Sequence, residues 1–278
     1  MSASNQPTIQ APPARFRLRV RYAKRGRLRY LGHLELIHTI ERCIRRAALP
    51  YAVSQGFSPH MRVGYTSALP VGTGSACEYY DVFLTELIPV AEAFERLKAA
   101  TPFDLAPDAA AYVDLRAPAL TADITRVDYL IELTPRSGAG VTVERMEAAL
   151  QAVRDKGELP YVRGKKRKTL DLATLLSWHV DAADDGRILL GIATHCDNEG
   201  SLRPELLLAA LDQALRGIDP GSEEISSTGI QELACIERYR VERTAQLIAN
   251  EDGTMRAPLA DEPGPASGTL LADALAKL

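Results

Sequence analysis

A chain of 278 residues, 46% hydrophobic and 25% charged, has room for one large domain or two small ones and the balance of a soluble globular protein. No apolar run approaches the ~20 residues that cross a bilayer, which argues against a membrane span. Cys43, Cys77, Cys196 and Cys235 stand singly and far apart, so no local motif for a metal or an iron–sulfur cluster exists, and no cofactor is expected.

Residues 1–14 are rich in Pro, Ala and small polar residues and read as a disordered arm. They lack the basic start and apolar core of a secretion signal, so the protein is expected to be cytoplasmic. Residues 15–22 then alternate strictly, with Arg15, Arg17, Arg19 and Arg21 between Phe16, Leu18, Val20 and Tyr22. A strand sends alternate side chains to opposite faces, so the four arginines should line one face. With the apolar side against helices, that face should look outward and want an anionic partner. Eleven lysines and arginines against two acids leave +9 between Arg15 and Arg46, so a total of −3 leaves −12 for the rest. A basic patch on an acidic protein suggests a polyanion, although it would also serve an acidic protein surface.

A turn near 24–26 and a short segment at 28–31 lead to a helix from His33. Leu34, Ile37, Ile40, Ile44 and Ala47 recur at helical steps, and Pro50 closes it. Strands are expected at 62–66 and 78–84, joined by the Pro/Gly/Ser loop 69–75. A helix from Pro89 and an extended piece at 112–115 follow. The order β-α-β-β-α-β is ferredoxin-like. The second half repeats the pattern, without residue identity: a strand at 129–133, a helix over 143–153, extended pieces at 161–162 and 169–172, and a strand at 188–193. A helix opened by Pro204 and a strand at 231–241 complete it. The reading is α+β, two ferredoxin-like (βαββαβ) subdomains in tandem. The first covers 15–120 and the second 121–245. A boundary lies within 116–125, and a flexible tail over 246–278 ends in a short helix at 270–278.

Three constellations could carry function. Gly26 and Gly32 bracket Arg27, Arg29 and Tyr30 ahead of His33 at a helix start, where a phosphate could sit against free N–H groups and the arginines. The plainer reading is a capping histidine beside solvated arginines. Gln55, Phe57, Ser58, His60 and Arg62 offer donors and one aromatic, a mixture that suits single-stranded nucleic acid. Arg29, His33, Gln55, Ser58 and Arg62 are expected to converge on one pocket. The sequence GTGS at 72–75 lacks the lysine and hydroxyl of a phosphate loop. Lys165, Lys166, Arg167 and Lys168 beside Arg163 make a basic loop, either a phosphate contact or a solvated charge run. His33 and His60 are the candidates for acid–base catalysis; HxxxH and HExxH are absent.

The segments GRLRYLGHLEL, IERCIRRAALPYAVSQGFSPHMRVGYTSALPVGTGSACEYYDV and KKRKTLDL resemble the radical SAM-linked protein family, a domain of unknown function, over about 15–245. The resemblance implies association with a separate radical SAM enzyme, to which relatives are often fused, and gene neighbours that hint at RNA. It supplies no catalytic residues. The chain itself lacks the clustered cysteines that a radical SAM enzyme needs. The leading expectation is an RNA-binding accessory module that presents RNA to that partner. The alternatives are a metal-independent RNA endonuclease using a histidine, an architecture that paired ferredoxin-like domains also serve in CRISPR RNA processing, and a domain docking an acidic protein.

Overall fold

The computed structural model of the protein describes residues 13–197, 201–227 and 231–259. The chain is mixed α+β and divides into two units, with breaks at 71/72, 77/78 and 120/121. The last break lies inside the stretch 116–125, where turn residues marked a boundary. No helix among the described residues is long and apolar enough to cross a membrane. Residues 1–12 of the expected arm and the expected helix at 270–278 lie outside the described residues.

The first unit runs β1 (Phe16–Lys24), a 3₁₀ turn (Gly26–Tyr30), α1 (His33–Arg46), β2 (Val63–Tyr65), β3 (Gly74–Leu84), α2 (Val90–Ala100) and β4 (Pro107–Val113). Its strands lie in the order β4-β1-β3-β2. Residues 74–77 of β3 count with the second unit and 78–84 with the first. Leu18, Val20 and Tyr22 on β1 and Tyr80, Val82 and Leu84 on β3 meet Leu36, Ile40 and Ile44 of α1 and Leu97 of α2 in one core. The expected apolar face of α1 holds at Ile40, Ile44 and Ala47, which are buried, and departs from the core in the first turn. Leu36 and Cys43 are buried, whereas Leu34 is exposed. Leu34 and Leu36 fall on different sides of the helix, and only packing against the sheet chooses between them.

The second unit continues from the second residue of the short helix α3 (Leu120–Asp123), in which the break at 120/121 falls. It runs β5 (Arg126–Pro135), α4 (Val143–Asp155), β6 (Glu158–Arg163), β7 (Lys166–Asp171), β8 (Leu175–Ala182), β9 (Ile188–His195), α5 (Pro204–Leu215), β10 (Ile236–Ala249) and β11 (Met255–Arg256). The strand order is β8-β9-β5-β10, with β11 on β10, while β6 and β7 form a separate hairpin. Thr142 caps α4 by accepting the Arg145 N–H, and Pro204 takes the first turn of α5, where a missing N–H costs nothing. β8 was not expected. The tail is also shorter than expected, since β10 runs to Ala249 and β11 pairs back onto it.

The basic face of β1 is not outward. Arg17 and Arg19 are 5% and 2% exposed, and both hold Asp81 of β3, which is fully buried. Arg17 donates to Asp81 Oδ2 at 2.6 Å and to the Pro118 carbonyl at 2.8 Å, and Arg19 donates to Oδ1 at 2.8 Å. The expectation of four guanidinium groups facing a partner fails here, because a carboxylate on the neighbouring strand and the chain at 117–118 occupy that face. Arg21 pairs with Asp108 at the surface at 2.7 Å, and Arg15 remains exposed.

Asp81→Ala should therefore strand two buried guanidinium groups and lower stability by about 3–5 kcal/mol. Asp108→Ala, which loses a partly exposed pair, should cost about 1 kcal/mol or less. Urea unfolding of both variants checks this, and equal costs would refute the buried role of Asp81.

Candidate functional site

The end of β1 and the head of α1 make the most developed corner of the first unit. Gly26 opens the 3₁₀ turn at φ +50°, and a Cβ there would lie 2.3 Å from the Asp104 carboxylate. Only glycine takes this conformation cheaply. The 3₁₀ helix has three residues per turn, so side chains three apart stand over each other. Leu28 and Leu31 accordingly pack against the core. Arg27 and Tyr30 fall together on the outer side, where Tyr30 is 65% exposed. Arg25 is also exposed, and neither Arg25 nor Arg27 has an acidic partner among the described residues. Arg29 is half-buried, and its Nε has no hydrogen-bond partner among the described residues.

Beneath this turn lies a polar floor. Lys24 is buried, and its ammonium donates to the Leu31 carbonyl at 3.0 Å, tying the end of the turn to β1. Glu78, also buried, accepts from the Thr66 hydroxyl at 2.9 Å. His33 stands half-buried over both. Its ring lies edge-on to Tyr65 at 6.3 Å, and the Tyr65 hydroxyl is buried with no hydrogen-bond partner among the described residues. Burial lowers the His33 pKa below its ordinary 6.5; the Glu78 carboxylate opposes this and the Lys24 ammonium reinforces it. His33 is thus a neutral imidazole at pH 7. Burial, with Glu41 nearby, pushes the Tyr65 phenol well above its usual range.

The helix start differs from expectation. The cap position is Gly32, and the Glu35 carboxylate accepts the Gly32 N–H at 2.8 Å. His33 is therefore not the cap. A side-chain carboxylate already takes the Gly32 N–H at the helix start where a phosphate was expected, which leaves Arg25, Arg27 and Arg29 as the cationic groups above the buried Lys24.

The expected common pocket does not form. Val53 bridges Met61 and Tyr51 bridges Leu84, so the loop 54–60 projects beyond the Leu84 end of β3. His33 touches Tyr65, which pairs with Tyr80. Tyr80 and Leu84 are four residues apart, roughly 13 Å of strand at about 3.3 Å each. Gln55, Phe57, Ser58 and His60 are exposed at that far end. Arg62 lies over the Phe83 ring at 4.5 Å, on the sheet face opposite His33, since Val63 and Tyr65 share the face of Val82 and Tyr80. The GTGS stretch is structural: Thr73 donates to Glu205 at 3.1 Å, and Ser75 accepts the Cys77 N–H at 3.1 Å. In the second unit Lys165, Lys166, Arg167 and Lys168 are exposed at the tip and along one strand of the β6–β7 hairpin.

Sequence reasoning missed Lys24, Tyr65, Thr66 and Glu78. Lys24 falls on the even, core-facing side of β1, which was visible in the alternation, but the carboxylate across the sheet was not. The four cysteines are buried free thiols.

His33 should titrate below pH 6.5 in NMR spectra of its ring protons, and Glu78→Gln should lower it further by removing the carboxylate that favours the imidazolium. Because the folded value lies below the unfolded one, the neutral form is what the fold favours. The His33 contribution to stability is complete above pH 6.5 and is lost as pH falls from 6.5 through the folded value. A His33 titration at or above 6.5 would contradict this environment.

A sequence profile described as an uncharacterized protein conserved in bacteria, DUF2344, matches residues 17–204. No curated protein matches the chain at a significant level. Among solved structures, one from a crystal structure of a Cbf5-Nop10-Gar1 complex is similar at 9% identity and a TM-score of 0.42. That likeness covers 82% of this chain and 48% of the other, so this chain spans about half the length of its match, and similarity at this level carries no functional argument. The profile takes in both sides of the 120/121 junction and well over half of the residues, and the chain belongs to the DUF2344 family of bacterial proteins.

Proposed function

We propose that the protein is a cytoplasmic RNA-binding accessory module, with its two units as variants of the ferredoxin-like fold, that presents single-stranded RNA to a radical SAM partner. Each unit has the strand order fourth-first-third-second, once the β6–β7 hairpin is set aside as an insertion in the second. The observation that carries the RNA reading is the outward pairing of Arg27 and Tyr30 on the 3₁₀ turn. An exposed aromatic stacks on an unpaired base, while a guanidinium without an acidic partner meets the phosphate. The site of binding moves with this reading, from the face of β1 to its end. The radical chemistry belongs to the partner, since the scattered cysteines of this chain offer no clustered ligand set.

One observation favours a catalytic second reading. The neutral imidazole of His33 adjoins the same corner and has the protonation state a general base requires.

Fluorescence anisotropy with labelled single-stranded RNA across a salt series tests the binding reading. Tyr30→Ala should weaken binding about tenfold, as loss of one stacked base does. Arg27→Gln should reduce the salt slope by about 0.7. Wild-type protein that binds no RNA would overturn the reading. Co-expression with radical SAM enzymes of the same genome, followed by capture and iron–sulfur absorbance, checks the partner. Were the protein to cleave the RNA, His33→Ala should cost about 10²- to 10⁴-fold in rate with binding intact.

A further inference from the structure

We propose that the β6–β7 hairpin of the second unit is a separate nucleic-acid contact, a ribbon that stacks a base of single-stranded RNA on Tyr161 and seats the flanking phosphates on Arg163, Lys166 and Lys168. The proposal rests on the RNA-binding reading and adds a second site to it.

The register of the hairpin is the ground for it. Tyr161 pairs with Lys168, and Arg163 pairs with Lys166. Paired residues of an antiparallel ribbon share a face and stand about 5 Å apart. Residues two apart on one strand share that face too. One face of the ribbon therefore carries an aromatic ring with three cations around it, while Arg167 lies on the other face beside Val162. Like charges directly opposite each other destabilise a hairpin. Arg163 faces Lys166 in this way, and no ion pair relieves either among the described residues.

The ribbon is anchored rather than loose. On the same face as Tyr161, Leu159 is fully buried, so the face runs from the core outward through a half-buried Tyr161 to an exposed Arg163. Val162 donates to the Ile225 carbonyl at 2.8 Å and accepts the Ser227 N–H at 2.9 Å, which holds the outer edge of β6. Gly164 at φ +61° is the first central residue of a two-residue loop, the position that a II′ turn reserves for glycine. The tip is thus a defined turn that carries its charges at fixed spacing.

A polyanion without bases would need the cations but not the ring. A half-buried tyrosine is a rigid stacking platform that loses little freedom on binding, and this favours nucleic acid over an acidic peptide.

The test uses the full chain and a labelled uridine oligonucleotide. Tyr161→Leu should weaken binding about tenfold with little change in salt slope. Tyr161→Phe, which keeps the ring, should bind as wild type and controls for folding. Lys166→Gln with Lys168→Gln should lower the salt slope by about 1.4, or 0.7 for each cation. Wild-type affinity in the hairpin variants, with Tyr30→Ala still weakened, overturns the ribbon site and leaves the RNA reading standing. Absence of RNA binding by the wild type removes both. Equal affinity for polyglutamate and RNA, with both weakened by Lys166→Gln with Lys168→Gln and neither by Tyr161→Leu, would assign the hairpin to an acidic protein partner and refute the proposal.

Discussion

The first unit is organised around one carboxylate. Asp81 sits fully buried between Arg17 and Arg19, accepting hydrogen bonds from both guanidinium groups. Removing these charges from water is costly, and the cost is offset only because the geometry is close and other donors are used. Arg17 uses its spare donors on the carbonyls of Ala117 and Pro118, and its guanidinium also lies 5.4 Å from the Phe83 ring. The same contacts therefore register β1 against β3 and hold the chain after β4 over the sheet. A strand that would repel itself in isolation becomes the centre of its unit.

With Arg17 and Arg19 in the interior, two turns at strand ends set exposed cations beside an aromatic ring. At the end of β1 the 3₁₀ turn separates leucines from Arg27 and Tyr30 by its three-residue period. At the tip of the β6–β7 hairpin a two-residue loop and strand alternation do the same for Tyr161 and the cations around it. In both places short-range geometry sets an aromatic among cations, and apolar residues on or next to the same element anchor it to the core: Leu28 and the following Leu31 in one case, Leu159 in the other. Loops held by a rigid scaffold are where binding residues concentrate.

Below the first of these turns, Lys24 and Glu78 bring opposite charges into the interior at the head of α1. Lys24 fixes the Leu31 carbonyl, and Glu78 and Lys24 pull the His33 equilibrium in opposite directions. The floor thus positions the turn and sets the protonation of its neighbouring histidine together. A buried polar group of this kind is stable only when its donors and acceptors are used, which links the shape of the corner to its chemistry.

Local pattern determined much of this protein from sequence alone. Alternation placed β1 and its two faces, apolar steps of three and four placed α1 and α4, and proline and glycine marked the ends and the junction near residue 120. These signals depend on neighbours within a few positions, so they survive without a structure. Which face of β1 is covered depended on Asp81, 62 positions from Arg19, and which leucine of α1 is inside depended on the sheet beneath it. The distance between His33 and the loop 54–60 likewise followed from strand pairing at Tyr51 and Val53. Burial, charge pairing and convergence are properties of residues far apart in the chain. A one-dimensional pattern says which side a residue takes, and only the tertiary fold decides what stands on that side.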